Sequence, residues 1–592
     1  MPPQNRYYEE ELEYLDKAGA EFTRRHPVRA QHIGLRDTRN PDPHIERLIE
    51  SFAFLTGHVR QRIDDDFPEL THSLTDLVWP HYLRPIPPLS LLRFEPVPSS
   101  LDKPLLIPRG FKVKSKQRTS LEVRCQFRTV YPVTLRPLAL EEAQVFVDED
   151  RGSERMLRLR FRLTKGANPE NVVLDHLRLY LTGEPSVTYR AYRILTGTVK
   201  AIQLNFGRDR KPRFAGDQAR RRIRRVGFAE DEGLLPYTDV SFPGYRLLAE
   251  YFAFPEKFLF VDLVDLGPLE LERHEETFDL VFEFSERLPD NFRPTKDNFE
   301  LHVTPIINLI ERDGEPIKFR HHKLGERVRA SFVHPDAYEI LSVDEVFAMR
   351  QGESEPRRRH AFFSFEHDKT PDEGDTDDDG VFYHVTHEHS RDGRWVTRLS
   401  LISPRKGKLP EDESLSLAVT CMNGRLCREL GTGDITYPDG EALDGAVFRN
   451  ITRPTRPIYP DLGDGAEWNF ISHMALNFMS LADAASLRRI LQLYDIEGRL
   501  ENRRRIDGIR QAFAKPVERL IAGAPVRGTD LIVTVDESHF AEEGDLLLFS
   551  AVLGEFLALY ANTNSFIRLI IRHTQREEDI ECDPIHGRQS LI

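Results

Sequence analysis

The sequence contains few cysteines, and none is placed as a metal site or a redox pair requires. Zinc sites and disulfide-exchange sites use closely spaced cysteines with a recognisable pattern. This chain has four cysteines that are far apart or at a spacing that fits no such pattern: Cys125, Cys421, Cys427 and Cys582. We therefore expect reduced thiols, as in the cytoplasm.

Long hydrophobic runs are also missing. The longest apolar run, residues 546–561, contains Glu555 and is shorter than the roughly 20 residues that cross a bilayer as a helix. The first residues lack the basic-then-apolar pattern of a signal peptide. We expect a cytoplasmic protein that is not inserted directly into a membrane.

Recognisable catalytic and cofactor motifs are absent from the sequence. It has no P-loop, no G-x-S-x-G elbow, no H-E-x-x-H and no dinucleotide-binding G-x-G-x-x-G. Acidic residues are abundant, but a catalytic pair of carboxylates cannot be recognised in one sequence without a pocket. The sequence gives no positive reason to expect an enzyme, a metal or a cofactor.

The composition is that of a large globular protein. Its 592 residues are 40% apolar, which is enough for sizeable cores. The formal net charge is -14, from 82 basic and 96 acidic residues. This balance keeps the chain soluble and argues against nucleic acid or an anionic membrane as its main partner.

Residues 1–88 are predicted to form a helical assembly region. Asp42 can cap a helix that begins at Pro43, where the missing N–H of proline costs nothing. Apolar residues at helical spacing continue through three predicted helices, and these are the candidate interface residues: Tyr8, Leu12, Leu15, Ile45, Leu48, Phe52, Val59, Leu74 and Leu77. Such stripes pack either within a self-contained bundle or against a second protein.

From residue 89 the hydrophobic period changes to that of strands. Short alternating segments bounded by proline are predicted at residues 91–94, 111–113, 121–127 and 133–135. The segment MLRLRFRL, residues 156–163, predicts a half-exposed antiparallel sheet with arginines on one face. We predict a sandwich-like β-rich domain over residues 89–230 and a second β-rich domain over residues 231–455.

Residues 233–263 are the most aromatic stretch of the chain. They predict a short helix that ends before Pro255, followed by a strand. Tyr251, Phe252 and Phe254 are either core residues, the interpretation that we favour, or anchors for a neighbouring subunit.

Two segments, one acidic and one rich in histidine, contain residue types that bind metal ions. Residues 371–380, PDEGDTDDDG, match the first half of an EF-hand loop, but the position of the bidentate glutamate is Thr386. His387 and His389 would share a strand face while His384 points away. A solvated acidic loop and exposed strand histidines are favoured over a calcium or zinc site.

An arginine cluster is the best candidate for binding a polyanion. It comprises Arg220, Arg221, Arg222, Arg224 and Arg225, preceded by Arg208, Arg210, Lys211 and Arg213, with Phe206 and Phe214 as stacking groups. No nucleic-acid motif accompanies it. A solvated face or a contact for an acidic protein is favoured.

Residues 456–592 predict a mixed α/β module. A helix is expected at residues 486–494, and a strand, a buried helix and a second strand at 528–536, 546–560 and 565–572. The fold class is therefore α+β: an N-terminal helical unit, a β-rich sandwich-like middle and a mixed α/β C-terminal module.

Several phrases resemble the TssF family, also called VasA or ImpG, of bacterial type VI secretion systems. At the amino terminus they are YYEEELEYL, DPHIERLIESFAFLTGHV and DDDFPELTHSL followed by PHYLRPIP. In the middle they are GFKVKSKQRTSLEVRCQFRTVYPVTLRP, LLPY and SFPGYRLLAEYFAFPEKFLF, and near the end WNFISHMALN, GTDLIVTVDE and FLALYANTNSFIRL. Pro88, where the family often has serine, is a minor departure because it lies where the segment ends.

The resemblance implies a non-enzymatic structural subunit of the baseplate wedge of a phage-baseplate-like contractile injection system. It implies a TssG-like partner with two copies of this chain per wedge, TssK-like and TssE-like baseplate proteins, and a spike hub. It also implies assembly at the inner-membrane-docked secretion machine of a Gram-negative bacterium. Two alternatives remain open from the residues alone: a β-sandwich enzyme acting on carbohydrate or peptide, and a free-standing binding protein.

Overall fold

A computed structural model of the chain describes part of the amino-terminal region and most of residues 80–587. The described amino-terminal residues are Leu12, Leu15, Arg47, Leu48 and 50–56. The ranges left out between 80 and 587 are 98–99, 102, 149–153, 166–172, 205–212, 237–242, 269–275, 319–324, 351–355, 363–380, 391–392, 403–412, 441–442, 461–482, 522–523, 559–560, 562–564 and 575–578.

The chain divides into two compact units. Unit 1 comprises Met1–Leu77 with Asp464–Ile471, and unit 2 comprises Val78–Gly463 with Ser472–Ile592. In unit 1, Leu12, Leu15, Arg47, Leu48 and residues 50–56 are helical, as the apolar spacing predicts. The Ser51 and Thr56 hydroxyls donate to the carbonyls of Arg47 and Phe52, one turn earlier.

Six helices stand out among the described residues of unit 2. They are α1 (Pro185–Gly197), α2 (Asp217–Arg221), α3 (Pro243–Ala253), α4 (Ala484–Tyr494), α5 (Leu500–Asp507) and α6 (Glu543–Ala558). Proline occupies the start of α1, and the Asp483 carboxylate caps α4 by accepting from the Ser486 amide. Helix α6 is buried along most of its length, as expected for a helix that is apolar on all sides.

A six-stranded antiparallel sheet is assembled from distant parts of the chain. Its strands in spatial order are Ile435–Pro438, Lys112–Ser115, Gln126–Thr129, Val303–Ile307, Leu89–Pro96 and Ala446–Asn450. Leu92, Phe94, Phe127, Ile306 and Phe448 belong to the core that packs against it. The strand Leu89–Pro96 therefore pairs with two strands that come much later in the chain. Val303–Ile307 follows it by more than 200 residues and Ala446–Asn450 by about 350.

Two further antiparallel sheets complete the first half of unit 2. The five-stranded sheet has the order Phe214–Ala215, Val199–Leu204, Thr277–Phe284, Glu154–Leu163, Leu138–Asp148. The four-stranded sheet has the order Ile223–Arg225, Phe260–Pro268, Val173–Leu181, Phe299–Leu301. Glu154–Leu163 alternates as predicted: Leu157, Leu159 and Phe161 are buried. Arg160, on the other face, pairs with Asp279.

The second half of unit 2 contains two sheets built around long strands, and the first half also contains a two-stranded ribbon. One sheet has the order Ile310–Asp313, Glu413–Met422, Glu339–Arg350, Arg357–Arg359, with Ile317–Lys318 also beside Glu413–Met422. The other has the order Glu326–Arg327, Trp395–Ile402, Phe382–His389. Leu105–Ile107 pairs with Val133–Leu135 as the two-stranded ribbon.

The carboxyl-terminal sheet confirms the predicted strand–helix–strand module. Ala524–Val535 and Ser565–His573 are parallel neighbours, and α6 is the crossover between them. The remaining strands are Ile509–Ile521 beside the first, and Ile580–Glu581 with Ile585–His586 beside the second. The α+β class is thus confirmed.

Two sequence predictions about the β-rich middle are corrected. The boundary at residue 230 does not separate two domains, because strands from both sides share sheets: Leu89–Pro96 pairs with Val303–Ile307, and Val173–Leu181 with Phe260–Pro268. The strand predicted at 121–127 is confined to Gln126–Thr129. Glu122 has a φ of 59°, a left-handed turn conformation that strands do not adopt.

Candidate functional site

An exposed apolar helix face in unit 1 is the candidate functional site. Leu48, Phe52 and Leu55 are spaced four and three residues apart, so their side chains lie on one side of the helix. They are 68%, 54% and 62% exposed, whereas Ala53 is fully buried. Large apolar side chains exposed together on one helix face are typical of a surface that another protein covers.

The remaining predicted contacts of the amino-terminal region are only partly described. Leu12 and Leu15 are helical and half-buried. Tyr8, Ile45, Val59, Leu74 and Leu77 lie outside the described residues. For all the amino-terminal candidates the interface stays a prediction.

The three aromatic candidates in the middle of the chain are core residues. Tyr251, Phe252 and Phe254 are 0%, 2% and 3% exposed. The Tyr251 ring lies 6.0 Å from the ring of Phe549 in α6 and 6.1 Å from that of Phe258. The anchor interpretation is therefore corrected in favour of the core, because helix α3 turns this aromatic face toward α6 within the same chain.

A buried ion pair fixes the segment before α3. Lys257 is fully buried and donates to the Glu250 carboxylate and to the Glu232 carbonyl, at 3.2 Å for the carbonyl. Glu250 also accepts from the Leu234 amide at 2.7 Å. Arg246 donates to the carbonyls of Ala229 and Glu230 at 2.9 and 3.0 Å. These charges bind main chain, so they hold a loop in place.

A second buried ionic cluster joins α5 and α6. The Arg505 guanidinium lies 3.0 Å from an Asp545 carboxylate oxygen and donates to Asn502 at 3.2 Å and Tyr189 at 3.3 Å. Burial raises the pKa of Asp545 above its ordinary value, against the opposing effect of Arg505. The sequence offers no sign of either cluster, because nothing in it shows that these charged residues are buried.

The histidine segment forms an aromatic cluster. His387 stacks on the Trp395 ring with centroids 5.1 Å apart, and its Nδ1 lies 3.1 Å from the Thr397 hydroxyl. His389 packs edge-on against Trp395 and against Tyr459, at 5.3 and 5.8 Å. In the described part of the chain no three metal-binding side chains come together. The acidic loop 371–380 lies outside the described residues.

A small cleft is lined by His176, Arg178 and His302 among others, and its charged side chains are paired within the fold. The Asp262 carboxylate accepts two hydrogen bonds from the Arg178 guanidinium, at 2.7 and 2.8 Å. Its Oδ2 also lies 2.7 Å from the Nε2 of His176. Although burial alone would raise it, the pKa of Asp262 is lowered by these hydrogen bonds. The groups that could do acid–base chemistry are thus held in a structural network.

His302 joins two sheets at a single residue. It lies between Phe299–Leu301 of the four-stranded sheet and Val303–Ile307 of the six-stranded sheet, with a φ of 58°. Its Nε2 accepts a hydrogen bond from the Arg136 amide at 3.1 Å, which requires an unprotonated nitrogen. Burial, assisted by the Arg136 charge, lowers the pKa of His302 to about 3.

We expect His302 to make unit 2 sensitive to acid. In the unfolded chain His302 is protonated below its ordinary pKa of 6.5, whereas in the folded chain it stays neutral down to about pH 3. The free energy of unfolding therefore falls as the pH falls from 6.5 to about 3. The loss is about 1.4 kcal/mol per pH unit. His302→Gln keeps an acceptor and should flatten this dependence in urea unfolding curves. His334→Gln at an exposed position is the control; equal pH slopes for H302Q and wild type would contradict the assignment.

The described part of the chain combines antiparallel sheets, buried ion pairs and one exposed apolar helix face, as a structural protein does. Its buried charges serve internal packing, and no helix in the described ranges is long and apolar enough to cross a membrane. The chain belongs to the type VI secretion system TssF family, which it matches over residues 1–589.

Comparison with known proteins places the similarity along the whole chain. The Pseudomonas aeruginosa type VI secretion system component TssF1 is 30% identical over 621 aligned positions, covering 97% of each protein. A chain in the cryo-electron microscopy structure of the TssK-TssF-TssG baseplate subcomplex is 32% identical, with a TM-score of 0.75 over 92% of this chain and 99% of that one. A chain in a type VI baseplate complex is 31% identical, with a TM-score of 0.60 over 99% and 100%.

Proposed function

We propose that this chain is a structural subunit of a type VI secretion baseplate wedge and assembles with TssG-like and TssK-like proteins. The similarity to a chain of the TssK-TssF-TssG baseplate subcomplex carries this proposal, because it extends over 92% of the chain. A scaffold of this kind positions other proteins. Its function then depends on geometry and on which surfaces it leaves apolar.

The helix face of Leu48, Phe52 and Leu55 is the proposed contact with the TssG-like partner. Covering an apolar side chain of this size contributes about 1.5–3 kcal/mol when it is fully removed from water. The other amino-terminal candidates, whose spacing continues the stripe, extend the proposed surface: Tyr8, Leu12, Leu15, Ile45, Val59, Leu74 and Leu77.

The subunit is proposed to act without catalysis. Three buried carboxylates, Glu250, Asp262 and Asp545, each pair with a basic side chain, which supports a scaffold role over an acid–base role. We further propose two copies per wedge, contacts with TssE-like proteins and a spike hub, and assembly in the cytoplasm on a machine docked at the inner membrane of a Gram-negative bacterium.

Co-expression with TssG-like and TssK-like chains tests the proposal. The expected result is a stable complex in size-exclusion chromatography, with two copies of this chain for each TssG-like chain by mass photometry. Failure to recover any complex with a TssG-like chain would reject the function. Deletion of residues 1–88 should abolish the complex. An undiminished complex would refute the role given to the amino-terminal region but not the proposed function.

A sharper prediction concerns the helix face itself. Replacing Phe52 and Leu55 together with serine should weaken the complex roughly tenfold or more, because two large exposed side chains lose their burial at the contact. Val333→Ser is the matched control, since Val333 is 91% exposed in unit 2 and lies outside the proposed surface. Competition between tagged and untagged chains measures the difference, and equal retention of F52S/L55S and V333S would contradict the contact.

A further inference from the structure

Two segments of unit 2 lie next to points where the chain passes between the two units. Unit 2 begins at Val78, and its first part ends at Gly463. Residues 80–91, here called the entry segment, follow the first point, and residues 451–460, here called the strap, precede the second. The chain returns to unit 2 at Ser472, which lies outside the described residues.

The strap runs antiparallel beside the entry segment. Four main-chain hydrogen bonds of 2.8 to 3.0 Å join them: from the Ile451 amide to the Leu91 carbonyl, from the Thr455 amide to the Leu89 carbonyl, and in both directions between Ile86 and Ile458. The Thr455 hydroxyl also accepts from the Leu89 amide at 2.9 Å. The two segments are therefore paired to within eight residues of Val78 and five residues of Gly463.

Both segments are rich in buried proline. Six prolines in them are buried: Pro85, Pro87, Pro88, Pro454, Pro457 and Pro460. The proline ring fixes φ, and proline-rich chain is extended and semi-rigid. Ile86 and Ile458, which pair with each other, are each 7% exposed. Stiff segments that are paired and buried together move as one body.

Tyr459 attaches the strap to a second sheet. Its hydroxyl donates to the carboxylate of Glu339 at 2.6 Å, and Glu339 begins the strand Glu339–Arg350. The Tyr459 ring lies 5.8 Å from the ring of His389, and the Arg425 guanidinium lies 5.4 Å from its centre. The strap therefore contacts the entry segment at one end and a different sheet at the other.

The Glu339 carboxylate is recessed against the main chain. A β-carbon at Gly424 would lie 2.6 Å from its Oε2. Burial raises the pKa of Glu339, against the opposing effects of the Tyr459 hydrogen bond and of the charges on Arg425 and Arg394. A recessed carboxylate costs free energy unless it is hydrogen-bonded, so its bond to Tyr459 fixes where the strap ends.

We propose that the strap and the entry segment form a stiff stem that couples the orientation of unit 1 to the sheets of unit 2, with Tyr459 as its anchor. Tyr459 is then a positioning residue, because it acts on unit 1 only through the strap. The inference goes beyond the proposed wedge function and does not rest on it.

Single-molecule energy transfer in the full-length chain tests the proposal. Dyes are attached through unnatural amino acids at Glu50 in unit 1 and Val333 in unit 2, both of which are exposed. We expect one narrow distance distribution in wild type and a roughly twofold or greater width in Tyr459→Phe. Tyr437→Phe, at a tyrosine that is 41% exposed, is the matched control and should leave the width unchanged.

Hydrogen exchange shows whether the same substitution opens the stem. In Y459F the amides of Ile86 and Ile458 should exchange roughly tenfold or more faster, as expected when a hydrogen bond to a charged group is lost. Amides elsewhere in unit 2, such as those of Ala524–Val535, should exchange at the wild-type rate.

A cross-link should rescue the variant. Ile86 and Ile458 exchange main-chain hydrogen bonds, and antiparallel partners of this kind have α-carbons about 5.5 Å apart, which a disulfide can bridge. In Y459F/I86C/I458C, oxidation with copper phenanthroline should restore the narrow distribution, and reduction should broaden it again. The same treatment of Y459F should change nothing.

Three outcomes would overturn the proposal. The first is an unchanged width in Y459F despite faster exchange at Ile86 and Ile458, because the strap would then not hold unit 1. The second is faster exchange throughout unit 2, which would make Tyr459 a general stabilising residue. The third is a width that stays broad after the cross-link forms. None of these measurements needs a partner chain, so failure of the stem is distinguishable from failure of the wedge function.

Discussion

Replacing Gly544 with alanine is expected to destabilise unit 2 by about 3 kcal/mol, at the upper end of the cost of overpacking a core. Gly544 lies in the first turn of α6, where this helix passes α1. A β-carbon at Gly544 would lie 1.8 Å from the carbonyl oxygen of Tyr189 and 2.6 Å from its carbonyl carbon. Because both atoms belong to the backbone of α1, no side-chain rotation relieves the clash, and the two helices must separate.

Separation of the helices would also disturb the ion pairs that bridge them. Arg190 contacts Glu542, the residue before α6, at 2.7 Å, and Arg193 contacts Glu543 at 2.9 Å; both pairs lie next to the close approach. Gly554→Ala in the same helix is the matched control, since its β-carbon would meet nothing closer than 3.6 Å. There the higher helix propensity of alanine should leave stability unchanged or raise it by up to about 1 kcal/mol. Urea unfolding followed by circular dichroism measures both variants, and equal midpoints would contradict the close crossing.

Breaking the Lys257–Glu250 pair is expected to cost about 3–5 kcal/mol, because it leaves one buried charge without its partner. The side chains of Lys257 and Glu250 are 0% and 2% exposed. In Glu250→Gln the side-chain oxygen can still accept the hydrogen bond from the Leu234 backbone N–H. The substitution therefore removes the charge but keeps this hydrogen bond. Burial already lowers the pKa of Lys257, so the variant should force this lysine toward its neutral form.

A double-mutant cycle separates the ion pair from the rest of the site. K257M/E250Q removes both charges, and its free energy of unfolding should fall less than the sum of the two single losses. The exposed pair Arg527–Glu518, with side chains 88% and 67% exposed, provides the control: Glu518→Gln should change stability by less than about 1 kcal/mol. Additive effects of the two buried substitutions would show that the charges do not interact.

The sequence predicts local structure well where one short segment determines it. The α6 crossover and its two parallel strands were recognisable because an apolar helix-length run lies between two apolar strand-length runs. Helix α4 was recognisable from its apolar spacing over 486–494, and the structure adds its cap at Asp483. The strand predicted at 121–127 failed because Glu122 turns the backbone, and a residue in the left-handed region leaves no mark on hydrophobic periodicity.

What the sequence could not predict depends on contacts between distant residues. Tyr251 and Phe252 have the composition of an interface as much as of a core, and only the position of α6 decides between them. Lys257 and Glu250 look like ordinary surface charges until the loop at 229–235 closes over them. The exposed helix face is the opposite case: the spacing predicts Leu48 and Phe52 on one helix face, and both are exposed in the part of unit 1 that is described.

The six-stranded sheet has a consequence for the order in which the chain is made. Leu89–Pro96 lies between Val303–Ile307 and Ala446–Asn450 in the sheet. It can pair with its last neighbour only after ~350 further residues have been synthesised. At roughly 5–20 residues per second, an unpaired apolar strand persists on the ribosome for about 20–70 seconds. A nascent chain with such an open edge is a natural client for chaperones, and truncation before residue 446 leaves that edge permanently open.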